Sequence, residues 1–187
     1  MKQAVFLFAV ALFAGCFTGS RPTPVNWTVD VKEVKLPSVA VPKSGSVRIS
    51  QLVVRPPYDV KSLAVLRADG TVAFDFYNQF PVSPSSLLKP VAQDVMSASG
   101  VFEAVLPSWS SARTDAVAEI SVERFALDCR DEGGRKASVE ITLRLLRKRE
   151  LGKVVHGASE RAAADGNYSS AFSEAFADAL LSAVSKL

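Results

Sequence analysis

Two cysteines and one histidine are the strongest candidates for chemistry in this chain of 187 residues. A thiolate beside an imidazole can perform nucleophilic catalysis, so Cys129 and His156, which we predict on neighbouring strands, form one candidate pair. With a single histidine, a metal site would depend on carboxylates or thiolates, and no group of these has ligand spacing. The interpretation we favour is that Cys129 is a small buried residue and His156 lies at the edge or end of a strand. The sequence therefore predicts no enzyme activity, no cofactor and no metal site.

The other cysteine, Cys16, follows an apolar run near the start of the chain. Lys2 supplies a positive charge, the residues from Ala4 to Ala14 are all apolar, and Gly15 precedes the thiol. An apolar helix of about 11 residues rises roughly 16 Å, half of the ~30 Å hydrocarbon core, so it is too short to span a bilayer. The pattern is similar to a bacterial lipoprotein signal, which is cut before a cysteine that takes up diacylglycerol. We predict a signal peptide over residues 1–15 and lipidation of Cys16. An ordinary signal or an N-terminal anchor is the alternative.

Composition indicates one globular domain after the signal. Hydrophobic residues make up 48% of the chain and charged residues 22%, both ordinary for a protein with a packed core. The formal net charge of +3 includes Lys2 and is too small to indicate binding to nucleic acid. Residues 16–24 contain the lipidated cysteine and a short polar segment with prolines, which we interpret as a tether. The domain is predicted over residues 25–187.

Alternating apolar and polar residues predict a sheet. A first strand is expected from Val25 to Val31, and Asp69-Gly70 between two β-rich runs predicts a hairpin. In the strand that begins near Ala116, the apolar phase changes after Val122, which predicts a bulge near Glu123-Arg124. The other predicted strands cover residues 47–54, 63–67, 71–76, 102–105, 139–145 and 153–162.

Two helices complete the prediction. Ser83 and Pro84 are the expected N-cap and first residue of one helix that ends at Gly100, and Pro90 predicts a kink or a late start. Ser169 or Ser170 is the expected cap of the terminal helix. Its apolar face comprises Phe172, Phe176, Leu180, Ala183, Val184 and Leu187. The predicted fold class is α+β, with a single mostly antiparallel sheet and two principal helices packed on one face.

One stretch, from Phe74 to Val105, carries a family resemblance. It has Tyr77 at the end of a hairpin, Phe80, Pro84, Leu87-Leu88 in a helix, and then the sequence from Gly100 to Val105. This order resembles the ABC-type transport auxiliary lipoproteins, the family that includes the lipoprotein of the paraquat-inducible (Pqi) system. Members of that family show Tyr, Trp, Pro, a Leu-rich helix and Gly-x-Phe-x-x-Val, so Phe80 stands here in place of Trp. Strand 63–67 and the segment Trp27-Thr28-Val29 are also similar to the family.

The resemblance implies a non-enzymatic accessory of a lipid transporter. The partners would be an MCE-type substrate-binding protein and its ABC permease and ATPase, and such systems are thought to move lipids between the membranes of diderm bacteria. A homo-oligomer is left open. The alternative function is that of an envelope-assembly lipoprotein, such as a lipopolysaccharide-export or Tol/Lpo-like adaptor. Phe17 follows Cys16 where Asp would often retain a lipoprotein in the inner membrane of enteric bacteria, so we predict the outer membrane, facing the periplasm.

Tyr77 and Phe80 are the candidate partner-binding residues. The loop that carries them is stiffened by Pro81 and Pro84, and rigid aromatic side chains lose little entropy on binding. The alternative is that Phe80 fills the gap between helix and sheet, and the sequence leaves both interpretations open.

A basic run, Arg147-Lys148-Arg149, follows a predicted strand. It could contact lipid headgroups or an acidic partner, but a solvated turn is the interpretation we favour.

Overall fold

The computed structural model describes residues 23–32, 34, 44–131, 134–148, 150–164 and 166–187. The predicted signal peptide, Cys16 and most of the tether lie outside the described residues. Within these ranges, eight strands form one mixed sheet that is accompanied by two helices, which confirms the α+β class. The strands are β1 (Val25–Asn26), β2 (Ser46–Val54), β3 (Ser62–Leu66), β4 (Val72–Gln79), β5 (Ala104–Leu106), β6 (Ala116–Asp128), β7 (Lys136–Arg147) and β8 (Glu150–Ala162). The helices are α1 (Pro84–Ala98) and α2 (Tyr168–Val184). Over the described ranges, no helix combines the length and the apolar character needed to cross a membrane.

The sheet is organised around β6. On one side β7 pairs antiparallel along almost all of β6, and β8 pairs antiparallel with β7. On the other side two strands share β6 end to end: β2 pairs in parallel with residues 116–122, and β3 pairs in parallel with Leu127 and Asp128. Strand β5 extends the sheet beyond β2, while β4 and then β1 extend it beyond β3. The longest pairs are antiparallel, as predicted, and the parallel pairs were not predicted because side-chain alternation carries no information on strand direction.

The predicted bulge in β6 is confirmed. The β6–β7 register shifts between Val122, which pairs with Ile141, and Arg124, which pairs with Glu140, so Glu123 is the additional residue. Because one residue is added in β6, the side chains on either side of the bulge point to the same face of the sheet. Val122 and Phe125 therefore both lie in the core although they are an odd number of residues apart.

One continuous core lies between the helices and one face of the sheet. Helix α1 contributes Leu88, Val95 and Met96 to it, all without exposed surface. The predicted apolar face of α2 is buried in the same cluster, and Leu187, beyond the end of the helix, packs against it partly buried. The two helices contact each other as well as the sheet, so both cover the same face, as predicted.

Helix α1 begins at Pro84, as predicted, with Ser83 at the N-cap position. The side chain of Ser83 makes no capping bond to the helix, and Asp59 performs this role instead. Its Oδ1 accepts a hydrogen bond from the backbone N–H of Ser85, and its Oδ2 accepts one from Ser85 Oγ, both at 2.9 Å. The helix is therefore capped by a loop 26 residues away in sequence.

The late helix start that Pro90 suggested is wrong, because α1 runs through this proline. Pro90 lies on the exposed side of the helix. Ser86, whose carbonyl loses its helical partner to the proline, is exposed as well, so water can bond that carbonyl.

Two boundaries near the N-terminal segment differ from the predictions. Strand β1 covers only Val25–Asn26, and helix α2 begins at Tyr168 after Asn167 rather than after Ser169 or Ser170. Ser169 Oγ donates to the carbonyl of Thr28 at 2.6 Å, and the N–H of Asp30 donates to Ser173 Oγ at 3.0 Å. These bonds hold the segment after β1 against α2, which removes it from the sheet.

Candidate functional site

The most exposed aromatic pair in β4 lies on a second bulge. Leu63 pairs with Asp75, but the next residue back in β3, Ser62, pairs with Gln79. Residues 76–78 are therefore additional to the β3–β4 ladder, and of these Asn78 pairs with Val25 of β1. A bulge of this kind at a sheet edge can aim side chains outward, so the bulge is the candidate site.

Asp75 fixes the shape of the bulge. Its Oδ1 accepts hydrogen bonds from the backbone N–H of Tyr77 at 2.9 Å and of Asn78 at 3.2 Å, and its Oδ2 accepts one from Asn78 Nδ2 at 2.7 Å. Partial burial of the carboxyl would raise its pKa, but the hydrogen bonds from Asn78 and Tyr77 outweigh this effect and lower the pKa below its ordinary value. The carboxylate that holds the bulge is thus ionised at neutral pH.

The N-terminal segment braces the same bulge from outside. Trp27 Nε1 donates to Asn78 Oδ1 at 2.8 Å, and the Trp27 backbone N–H donates to the carbonyl of Gln79 at 2.7 Å. The Trp27 ring packs edge-on against Tyr168 of α2, with the ring centroids 5.5 Å apart. The bulge is therefore tied to β1, to β3 and, through Trp27, to the second helix.

This bracing leaves two aromatic rings in solvent. Phe76 is 67% exposed and Tyr77 is 53% exposed, and Phe74, two residues before Phe76 on β4, is also exposed. Large apolar side chains held outward on a rigid backbone are typical of interaction surfaces. We call Phe76 and Tyr77 the aromatic bulge. Its chemistry is that of contact, through apolar area and the hydroxyl of Tyr77.

Phe80, the second candidate partner-binding residue, does not join Tyr77 on this surface. It is 3% exposed, and its ring centroid lies 5.4 Å from that of Phe125 and 5.9 Å from that of Phe172. Of the two interpretations left open by the sequence, the structure supports the one in which Phe80 fills the gap between helix and sheet. Sequence reasoning missed Phe76, although its alternation with Phe74 along β4 could have indicated a shared exposed face.

The conceivable Cys129–His156 pair is not brought together, because β7 lies between β6 and β8. Asp128, the residue before Cys129, pairs with Lys136 of β7, and Lys136 pairs with Ala162 of β8. His156 is six residues before Ala162 on β8, a separation of about 20 Å along the strand. Burial raises the pKa of the Cys129 thiol, which disfavours the thiolate, and His156 Nδ1 lies 3.0 Å from Thr142 Oγ1. The prediction that these strands are neighbours is therefore wrong.

Elsewhere in the described ranges, no group of three or more His, Cys, Asp or Glu side chains is arranged to hold a metal ion. Asp128 and Asp131, which follow each other near a turn, are engaged with Arg130 and Lys136 respectively. Cys16, the predicted lipidation site, lies outside the described residues.

Over its described residues, the chain has an α+β fold with a mixed sheet of eight strands, two helices on one face of the sheet, and the aromatic bulge next to β1. No protein-family model matches the chain, and no curated protein matches it. Among solved structures, the chain is similar to protein XCC0632 from Xanthomonas campestris, which is described under the family model DUF330. The two share 17% identity over 88% of this chain and 90% of that chain, with a TM-score of 0.60. The crystal structure of an uncharacterized protein is similar at 10% identity over 88% of this chain and 95% of that chain, with a TM-score of 0.61. At these identities the similarity shows the fold alone.

Proposed function

We propose that this protein is a non-enzymatic, lipid-anchored accessory component of an ABC-type transporter with an MCE-type substrate-binding protein. It is anchored through Cys16 in the outer membrane, faces the periplasm, and assists the movement of lipid between membranes. The resemblance of residues 74–105 to the auxiliary lipoproteins supports the transport system. The sequence around Cys16 supports the anchor.

The observation that supports a role in binding a partner is that Phe76 and Tyr77 are exposed on a backbone held in place by hydrogen bonds. Asp75, Asn78 and Trp27 hold the backbone of the bulge before any partner arrives. Ordering a loop on binding costs free energy, and a bulge that is already ordered avoids most of this cost. The stretch that carries the resemblance comprises part of β4, helix α1 and part of β5, so the aromatic bulge lies within it. We assign the bulge to docking on the MCE-type protein.

Site-specific crosslinking in the native host tests this docking. A photoreactive phenylalanine analogue is placed at Phe76 or Tyr77, and at Trp109 as the matched control, because Trp109 is 84% exposed but lies in the loop after β5. We expect a crosslinked product with the MCE-type protein from positions 76 and 77 and none from 109. Products with lipopolysaccharide-export or Tol/Lpo-like proteins would support the envelope-assembly alternative instead. Equal crosslinking from all three positions would refute a specific surface.

The anchor is tested separately with Cys16→Ser. Stable attachment to a membrane requires more than one acyl chain, which lipoprotein maturation at a cysteine provides. We expect the variant in the soluble periplasmic fraction or as unprocessed precursor, measured by fractionation and mass spectrometry. A processed Ser variant that still sediments with membranes as the wild type does would contradict lipidation. Recovery of the wild type in the inner-membrane fraction would contradict the outer-membrane assignment alone.

A further inference from the structure

A cleft on the open face of the sheet combines two cations with an apolar floor. The strand register aligns Arg48 of β2 with Leu106 of β5 and Val117 of β6, and aligns Val117 with Leu146 of β7. Residues next to these in sequence, such as Ile49, Ala118 and Leu145, are buried in the core under the helices. Because side chains alternate along a strand, the Arg48 row lies on the face that the helices leave open.

The side chain of Arg48 has one buried nitrogen, Nε, without a hydrogen-bond partner. Its Nη2 donates to the carbonyl of Ala112 at 3.1 Å and, more weakly, to Thr114 Oγ1 at 3.5 Å. Its Nε is buried and has no hydrogen-bond partner, the single such side-chain atom found within the described part of the chain. A desolvated guanidinium nitrogen without an acceptor is unfavourable, and an anion close to the guanidinium offsets that cost.

The cleft beside Arg48 has a volume of about 330 Å³, enough for a phosphate group and part of an attached molecule. Its lining includes Arg48, Thr114, Asp115, Val117, Leu146 and Lys148. Lys148 lies in the turn between β7 and β8, with a left-handed φ of 51°, and it is exposed. Lys148 is the central residue of the basic run that the sequence singled out and that the proposed function leaves unused.

Asp115 is the acidic residue in the lining of the cleft, and its carboxylate is hydrogen-bonded to Ser46. Its Oδ2 accepts hydrogen bonds from the backbone N–H and the Oγ of Ser46, both at 2.8 Å. These bonds, with a smaller contribution from the charge of Arg147, hold the pKa of Asp115 below its ordinary value. Ser46 thus orients the Asp115 carboxylate, which keeps its negative charge, and the two cations Arg48 and Lys148 outnumber it in the lining of the cleft.

We propose that this cleft binds a phosphate group, with Arg48 and Lys148 as its cationic contacts and Val117 and Leu146 as an apolar floor for the group that carries the phosphate. Guanidinium and ammonium groups form charge-assisted hydrogen bonds to phosphate oxygens. The same chemistry fits a phospholipid headgroup and free phosphate. This inference depends on the cleft alone and is independent of the transport role.

Calorimetric titration of the mature chain in detergent micelles tests the proposal. One arm uses inorganic phosphate, and the other uses a short-chain phosphatidic acid, with the heat of its titration into protein-free micelles subtracted. We expect saturable binding with one site per chain and at least about tenfold weaker affinity for Arg48→Gln and Lys148→Asn, the loss of one charged contact. Asn suits the left-handed backbone at position 148, so this variant removes the charge without adding strain.

Arg113→Gln is the matched control, because Arg113 is an exposed cation beside Thr114 in sequence but does not line the cleft. We expect it to bind within about twofold of the wild type, as an exposed charge outside the contact contributes little. Tighter binding of the phosphatidic acid than of phosphate identifies a lipid headgroup, and equal affinity identifies free phosphate. Absence of saturable binding in both arms, or equal weakening by Arg113→Gln and Lys148→Asn, overturns the proposal. If Arg48→Gln fails to fold, the Lys148→Asn result decides.

Discussion

Gly157 of β8 lies directly against the backbone carbonyl of Ala179 in α2, so that a Cβ at position 157 would be 1.8 Å from that oxygen. We expect Gly157→Ala to push α2 away from the sheet and to lower the free energy of unfolding by at least about 1–3 kcal/mol, the usual cost of overpacking. Urea denaturation measures this loss. Ala158→Ser, at the exposed neighbouring position, is the control and should be near neutral. A Gly157→Ala variant as stable as the wild type would show that the contact can relax at no cost.

Phe80→Ala separates the core role of Phe80 from any docking role. Its ring packs against both Phe125 and Phe172, so we expect a loss of about 3–5 kcal/mol in unfolding free energy, typical of a large cavity. Tyr77→Ala should change stability by no more than about 0.5 kcal/mol, because the ring is exposed. Chemical denaturation of both variants provides the comparison. Similar losses in the two variants would contradict the division between a buried and an exposed aromatic residue.

Asp59→Ala removes the distant cap of α1. We expect a loss of about 1–2 kcal/mol, the cost of leaving the Ser85 N–H without its acceptor. Asp94→Ala is the matched control, since Asp94 is an exposed carboxylate on the same helix. The measurement is the denaturation midpoint at neutral pH. The capping role would be wrong if the two substitutions were equally costly.

Asp128 predicts a dependence of stability on pH. Hydrogen bonds from Arg130 hold the pKa of the Asp128 carboxyl below its ordinary value in the folded protein. The unfolded chain therefore binds a proton at a higher pH than the folded one, so this contribution to stability is complete above about pH 4 and is lost as the pH falls through the folded pKa.

Asp128→Asn tests that dependence. The variant should be less stable than the wild type at neutral pH, and the difference should shrink as acid is added below about pH 4. Thermal unfolding at a series of pH values measures the difference. A gap between variant and wild type that is constant from neutral pH to the acid end would exclude the ionised Asp128 as its source.

Much of the sheet can be predicted from the sequence because burial acts on alternate residues of each strand. The change of phase between Val122 and Phe125 predicts the β6 bulge to the residue pair. The extent of β1 could not be predicted in this way, because Val29 and Val31 are buried against α2 rather than in the sheet, and alternation does not distinguish the two. The start of α2 was missed for a related reason: Ser169, a good local cap, bonds instead to the distant carbonyl of Thr28.

The candidate site could be predicted from the sequence less well than the sheet. Tyr77 and Phe80 are both aromatic residues near a strand end. Their opposite burial depends on the bulge that Asp75 stabilises through hydrogen bonds to Tyr77 and Asn78. The two cations of the cleft come together only through the register of β2, β6 and β7, in which β2 pairs with β6 in parallel. Long-range pairing of this kind has no local signature.

The position of β6 sets an order on the assembly of the chain. Strands β2 and β3 both pair with β6, which follows them in sequence. Val47 of β2 pairs with Ala116 of β6, and Val65 of β3 pairs with Leu127 of β6. Closing such long loops costs entropy before any contact repays it, whereas the β3–β4 hairpin and the β6–β7–β8 meander can form from adjacent segments. When the chain is synthesised from its N-terminus, β2 and β3 therefore lack their inner neighbour until residue 128 has been added.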